Sequence, residues 1–285
     1  MKNIMTRLMV ALVLAVSAGG AMAVGPEVPI EDWPAERSRS FASLQNGARL
    51  FVNYCMGCHS ANLVRWNRLE QIGLDDSQIK EFLIFGNQKV GDTMRIALNP
   101  ADSKVWFGKV PPDLSVITRA RTSFDFAGTD YIYTLLRGYY RDNSTATGWN
   151  NIAYPNIGMP HTFWDRQGPR EATLVQTHRH VDPKTGHASY VQSTTVFDVN
   201  GNATKTETEL KGPSNEGFSY TFKPVDVQQA RQFDSDAADV VAFLSFITDP
   251  SRATRRSIGV WVLVFLALFA VVAWRLNSVY WKDIR

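Results

Sequence analysis

Cys55-Met56-Gly57-Cys58-His59 contains the only two cysteines of the 285-residue chain. Two thiols three positions apart, followed at once by an imidazole, make the attachment signature for haem c. Each thiol adds to one vinyl group of the macrocycle, and the short turn between them matches the separation of the two vinyls. The histidine then falls beneath the iron as its proximal ligand. Gly57 relieves the crowded turn. Two other chemistries use such cysteines. Structural zinc requires four ligands, and the chain has no second cysteine pair. A thiol–disulfide centre expects a βαβ context, which the pattern around Cys55 lacks.

A haem that carries electrons has a second axial ligand, and a thioether opposite histidine raises its potential. Beyond residue 23 the methionines are Met56, Met94 and Met159. Met56 lies inside the attachment turn, on the wrong side of the ring. Met159 sits in Asn156-Ile157-Gly158-Met159-Pro160, where glycine and proline predict a fixed, non-helical loop. Met94, in Gly91-Asp92-Thr93-Met94-Arg95, reads as the start of an apolar, partly helical segment. Loop context selects Met159, with Met94, His161 or an open sixth position as the alternatives.

The elements that must position these groups are mostly helical. Leu44, Ala48, Phe51 and Val52 form one face of a helix that delivers Cys55 at its end. Val240, Phe243, Leu244 and Ile247 make an i, i+3, i+4, i+7 stripe on a helix from Asp226 to Ile247, expected to pack against the helix carrying Ser40 to Tyr54. Shorter helices are expected over Asp76–Phe85 and Asp130–Arg137, the latter with Tyr131, Leu135 and Leu136 inward and Gly138 as its stop. Pro111-Pro112-Asp113-Leu114-Ser115 reads as a stiff turn in which Asp113 or Ser115 caps a following helix. Arg65 and Arg68 either neutralise haem propionates or belong to a solvated face. Residues 24–40, rich in proline, read as an extended arm on the domain or a disordered terminus. Residues 165–222 mix polar and β-branched types, and Asn200-Gly201 signals a hairpin. They are expected to form a surface insertion, on which His178, His180 and His187 sit in solvent rather than on a metal.

Both ends are far more apolar than the rest. Residues 1–23 have a basic start, a short apolar stretch and an Ala21-Met22-Ala23 ending, the pattern of a cleaved secretory signal. The alternative is an uncleaved anchor. A second run, inside 257–275, carries no charge between Ile258 and Trp274 and is long enough to span a membrane. Arginines and tryptophans at its ends suit the headgroup zones. Lys/Arg counts on its two sides do not orient it. The export signal does, placing residues 24–251 outside and the tail 276–285 in the cytoplasm. Two positive charges go with residues 1–23, and six positive and one negative with residues 252–285. A formal +3 thus becomes −4 for residues 24–251. A mildly acidic exported domain argues against nucleic acid and suits a basic partner.

Several separated blocks together resemble the cytochrome c1 family, the haem c subunit of bacterial ubiquinol–cytochrome c reductase (the cytochrome bc1 complex). They are Gly47-Ala48-Arg49 leading to Cys55–Ser60, Arg65-Trp66-Asn67-Arg68-Leu69, Trp106-Phe107-Gly108, Pro111–Ser115, Ala120-Arg121, Asp130-Tyr131, Ile157-Gly158-Met159-Pro160 and the single terminal span. The resemblance implies a mainly α, class I-like cytochrome c domain with a β-hairpin insertion and one C-terminal transmembrane helix. It implies one covalent haem c held by Cys55 and Cys58, iron ligated by His59 and Met159, and propionates contacted by Arg121 and Tyr131. The implied role is electron transfer, not catalysis by this chain alone. Electrons would pass from a Rieske iron–sulfur protein to a soluble or membrane-bound cytochrome c, beside cytochrome b, in a dimeric complex of the inner membrane with the haem domain periplasmic. An anchored cytochrome serving a terminal oxidase, or a haem sensor or peroxidase with an open sixth site, are the alternatives. One departure stands out: further prolines often follow the ligand methionine in the family, whereas His161-Thr162-Phe163 follow Pro160 here.

Overall fold

A computed structural model describes residues 28–181, 188–210 and 214–284. Helix α1, Phe41–Leu50, is capped by Ser40, whose side chain accepts from the Ser43 N–H. The backbone then widens into a π turn, Phe51–Cys55, that ends on the first haem cysteine. Such turns recur at functional sites because the extra residue re-aims the side chains that follow. The helix read from Ser40 to Tyr54 is therefore two conformations end to end.

Strand β1 (Ala61–Arg65) pairs antiparallel with β2 (Thr93–Met94). Between them lie a 3-10 stretch, Trp66–Ile72, and helix α2, Asp76–Phe82, closed by an Asp75/Gln78 capping box. Helices α3 (Pro100–Phe107), α4 (Ile117–Ala120) and α5 (Gly128–Arg137) follow. Helix α5 buries Ile132, Tyr133 and Leu136, while Tyr131 and Leu135 stay half-buried. Gly138 does end this helix, but at φ −80° it is no left-handed cap. A Cβ there would lie 2.7 Å from the Ile152 side chain, so packing excludes anything larger.

Strands β3 (Tyr139–Arg141) and β4 (Trp149–Asn151) form a short ribbon before the Met159 loop and helix α6, Trp164–Gln167. Strands β5 (Arg170–Val181), β6 (Ala188–Phe197), β7 (Ala203–Leu210) and β8 (Gly217–Pro224) build one antiparallel sheet in the order β7-β6-β5-β8. Asn200-Gly201 lies in the turn between β6 and β7, with Gly201 at φ +87°. The fold is thus mixed rather than mainly α, and the single hairpin expected here is a four-stranded sheet. Its cause is a second apolar face. Ala172, Leu174, Phe197, Tyr220 and Phe222 pack against Tyr140 and Ile152, which one hairpin would leave uncovered.

The 22-residue helix α7 (Val227–Thr248) starts at Asp226, whose side chain accepts from two backbone N–H groups. It lies against α1 at very close range: a Cβ on Gly47 would fall 2.0 Å from the Asp239 carbonyl oxygen. Phe51 and Phe243 meet across the same seam, 5.3 Å apart. Around it, Arg37 pairs with Asp239 at 2.8 Å, Arg166 pairs with Asp236, and Asn46 donates to Asp239. Both carboxylates are buried, and burying a charge is tolerable only when it is paired in this way. The N-terminal arm packs on the domain through Trp33. Trp33 is buried, its backbone N–H donates to Asp130 and its indole N–H to the Ala238 carbonyl.

Helix α8, Arg252–Tyr280, closes the chain. Its Thr254–Tyr280 stretch has a mean hydropathy of 2.5 and is long and apolar enough to cross a membrane. The expected signal, 1–23, and His187 lie outside the described residues.

Replacing Gly47 by alanine forces α1 away from α7, because the obstructing atom is backbone rather than a flexible side chain. Destabilisation of about 1–3 kcal/mol is expected, read as an earlier midpoint in chemical denaturation of the detergent-solubilised protein. An unchanged midpoint would contradict the packing described.

Candidate haem site

Cys55 is buried at the end of the π turn, and Cys58 is half-buried one turn on. The Cys58 and His59 N–H groups both donate to the Cys55 carbonyl, at 3.1 and 2.9 Å, closing the attachment loop on itself. Burial, and then the neighbouring Cys58, push the Cys55 thiol up to about 12.

The His59 imidazole is buried, with Nδ1 2.7 Å from the Pro112 carbonyl oxygen. A carbonyl only accepts, so Nδ1 carries the proton and donates, and Nε2 is left with its lone pair. Burial holds the pKa below the usual imidazole value, against the opposing pull of the Pro112 carbonyl and Asp113. The ring is thus neutral and presents one nitrogen, the form that a ferrous or ferric ion binds.

The segment that supplies this carbonyl is clamped to the haem motif. Leu114 N–H donates to the Ser60 carbonyl at 2.8 Å. One Asp113 oxygen accepts from Asn62 N–H at 2.8 Å, and Ser115 Oγ accepts from Leu63 N–H at 3.0 Å. Asp113 and Ser115 were expected to cap the next helix. Helix α4 instead starts after Val116 with no side-chain cap. Tertiary partners on β1 have claimed both side chains, and only the second Asp113 oxygen turns back, to Ser115 N–H.

Met159 lies half-buried in the irregular segment between β4 and α6, as its Gly-Met-Pro context predicts. The loop is held at both ends. Asn150 Oδ1 accepts from Asn156 N–H at 2.8 Å, and Asn151 Oδ1 accepts from Ala153 and Tyr154 N–H. Asn156 takes φ +57°, a left-handed turn that asparagine tolerates. Downstream, Tyr139 Oη donates to the Met159 carbonyl at 3.1 Å. Met94 is fully buried in β2 opposite Ala61, inside the main core. It is a strand residue, not the start of a helix, and its environment is that of packing. His161 is 3 % exposed and stacks on Tyr139. Burial, then Arg170, lower its pKa to about 3.

Arg121 caps the C-terminal end of α4, directly after the clamp, with its guanidinium 5.9 Å from the Tyr131 ring centroid. Tyr131 also stacks on Phe126. Burial raises its pKa, and Arg121 works against that rise. Both sequence candidates therefore share one corner, bordering the core that contains Cys55. Arg121 is exposed, as are Arg68 and Arg65, which donates to the Gly91 carbonyl. His178 and His180 are exposed on β5, and no group of three metal-binding side chains occurs among the described residues. The donor set fits haem c: two thiols, a neutral imidazole with one open nitrogen, and a thioether on a braced loop. Sequence reasoning missed Asn150, Asn151 and Tyr139. An Asn-Asn pair ahead of a Gly-Met-Pro turn was the one available signal, while nothing local marks Tyr139.

Comparison with known proteins identifies the family. The model of the Cytochrome C1 family matches residues 37–171 and 222–284. Cytochrome c1 of Allochromatium vinosum is 32% identical over 247 residues, covering 86% of each chain. The ammonia monooxygenase gamma subunit of Nitrosomonas europaea is 35% identical over 260 residues, 91% of each. Cytochrome c1 of Rhodospirillum rubrum is 25% identical over the full length of both chains. The protein belongs to the cytochrome c1 family and carries one covalently bound haem c, as an electron-transfer subunit of a bc1-type complex.

Proposed function

We propose that Cys55 and Cys58 form the two thioether bonds, that His59 Nε2 and the Met159 sulfur are the axial ligands, and that Arg121 and Tyr131 face the propionates. The hydrogen bond from His59 Nδ1 to Pro112 carries this reading, because it settles tautomer and ring plane in a single contact. Bound haem supplies a one-electron carrier whose potential the axial pair sets. The protein's own residues do the rest. The clamp through Asp113 and Ser115 keeps the imidazole from rotating, and Asn150, Asn151 and Tyr139 keep the methionine loop in place. A cation at Arg121 offsets propionate charge.

In this reading the chain takes electrons from a Rieske iron–sulfur protein and hands them to a soluble or membrane-bound cytochrome c, beside cytochrome b in a dimeric complex. A relative whose name is Cytochrome b/c1 supports the cytochrome b partnership. The signal peptide 1–23 is removed. Residues 24–251 form the periplasmic haem domain, 257–275 the core of the inner-membrane anchor, and 276–285 the cytoplasmic tail. The sheet between Arg170 and Pro224 is a surface insertion. The family match stops at residue 171 and resumes at 222, in step with those strands.

Replacing Met159 by leucine should leave the haem attached and lower the midpoint potential by ~0.1 V or more, within the roughly 0.8 V that axial ligands span. A potentiometric titration that finds no change would transfer the ligand role to Met94 or His161. The wild-type ferrous protein, with both positions filled, should exclude carbon monoxide. Rapid stoichiometric binding would favour the open-site sensor or peroxidase. Purification in mild detergent should bring down cytochrome b and a Rieske protein, and their absence in an intact preparation would favour the oxidase-linked alternative.

A further inference from the structure

The segment after Pro160 has no second proline to stiffen it, yet the structure makes it one of the tightest places in the molecule. Tyr139 is 1% exposed and His161 is 3% exposed. Their rings stack with centroids 4.5 Å apart and planes 12° from parallel. Trp149 meets the His161 ring edge-on at 4.8 Å, and Phe233 of α7 does so at 6.1 Å. His161 Nε2 and both polar atoms of the Gln167 amide are buried with no hydrogen-bond partner among the described residues. The imidazole is therefore gripped on one face and along its edges by residues from β3, β4 and α7. Through Tyr139, whose hydroxyl donates to the Met159 carbonyl, the grip reaches the residue two positions upstream.

From this arrangement we propose that His161 is a positioning residue: its ring, stacked on Tyr139, holds the Met159 loop at the haem. The inference rests on the reading of Met159 as axial ligand. An iron–thioether bond is weak, so the backbone must keep the sulfur within reach in both oxidation states. A stacked aromatic pair plus one buried hydrogen bond supplies that restraint. His161 does not ligate in this account. It acts through Tyr139, in place of the rigidity a further proline would give.

The test uses the whole complex in detergent, with haem spectra, potentiometry and carbon monoxide as the probe. His161→Ala should weaken the sulfur-to-iron charge-transfer band, lower the potential and open the ferrous site to carbon monoxide, with the haem still covalently attached. His161→Phe keeps the ring and should retain the band and exclude carbon monoxide. An intact band without carbon monoxide binding in His161→Ala, or the same loss in both variants, overturns the proposal. Should His161→Ala fail to accumulate, Tyr139→Phe decides. It preserves the stack, deletes only the bond to the Met159 carbonyl, and should make carbon monoxide binding, absent in the wild type, detectable. Unchanged binding overturns the proposal. Met159→Leu run in parallel separates the two readings. If it leaves the band intact, the ligand assignment fails and the positioning role with it. If it abolishes the band while His161→Ala does not, only the positioning role fails.

Discussion

His59 can offer a nitrogen to iron because the Pro112 carbonyl holds the other one, 2.7 Å away. That contact joins residues 53 positions apart, and much of the domain is arranged to preserve it. The Pro111–Ser115 turn is stiff by composition and clamped to the strand that leaves the haem motif. The clamp bonds satisfy backbone N–H groups of β1 with short polar side chains, one at the surface and one in a half-buried seam. Burial then removes competing water and keeps the imidazole neutral. Metal chemistry and folding thus call for the same desolvation.

The Met159 loop has no regular secondary structure. Its rigidity comes from buried amides at one end and stacked rings at the other. The contrast follows from bonding. On the proposed assignment, covalent attachment would fix the haem relative to His59, so tolerance there would be small but easily met. The methionine side has only packing to locate it, and it sits where α7, the β3–β4 ribbon and α6 converge. Helix α7 therefore serves both sides, packing on α1 through Gly47 and on the His161 ring through Phe233.

The sheet of β5 to β8 is a separate solution to a local problem. Tyr140 and Ile152 expose an apolar surface beside the haem domain, and one face of the sheet covers it. Further along β5 the same strand carries His178 and His180 in solvent. Strand β7 is exposed for nearly its whole length and bears Lys205, Glu207 and Glu209, charges that discourage pairing with another chain.

The cofactor, the long helices and the apolar terminal helix were legible from the amino-acid order, because each depends on neighbours within a few residues. A Cys-x-x-Cys-His spacing, a Gly-Met-Pro turn, a helical stripe and an uncharged apolar run are all local patterns. What only the tertiary structure decided depends on partners far apart in the chain. The tautomer of His59 is set from Pro112, the fate of the Asp113 and Ser115 side chains from β1, and the need for glycine at position 47 from a carbonyl on α7. The pattern of residues 165–222 announced strands and a turn, but their number followed from the apolar surface they had to cover. His161 shows the limit most plainly. Its position after Pro160 looked like a departure from a stiff loop, and the stack that restores stiffness comes from Tyr139, 22 residues earlier in sequence and 4.5 Å away in space.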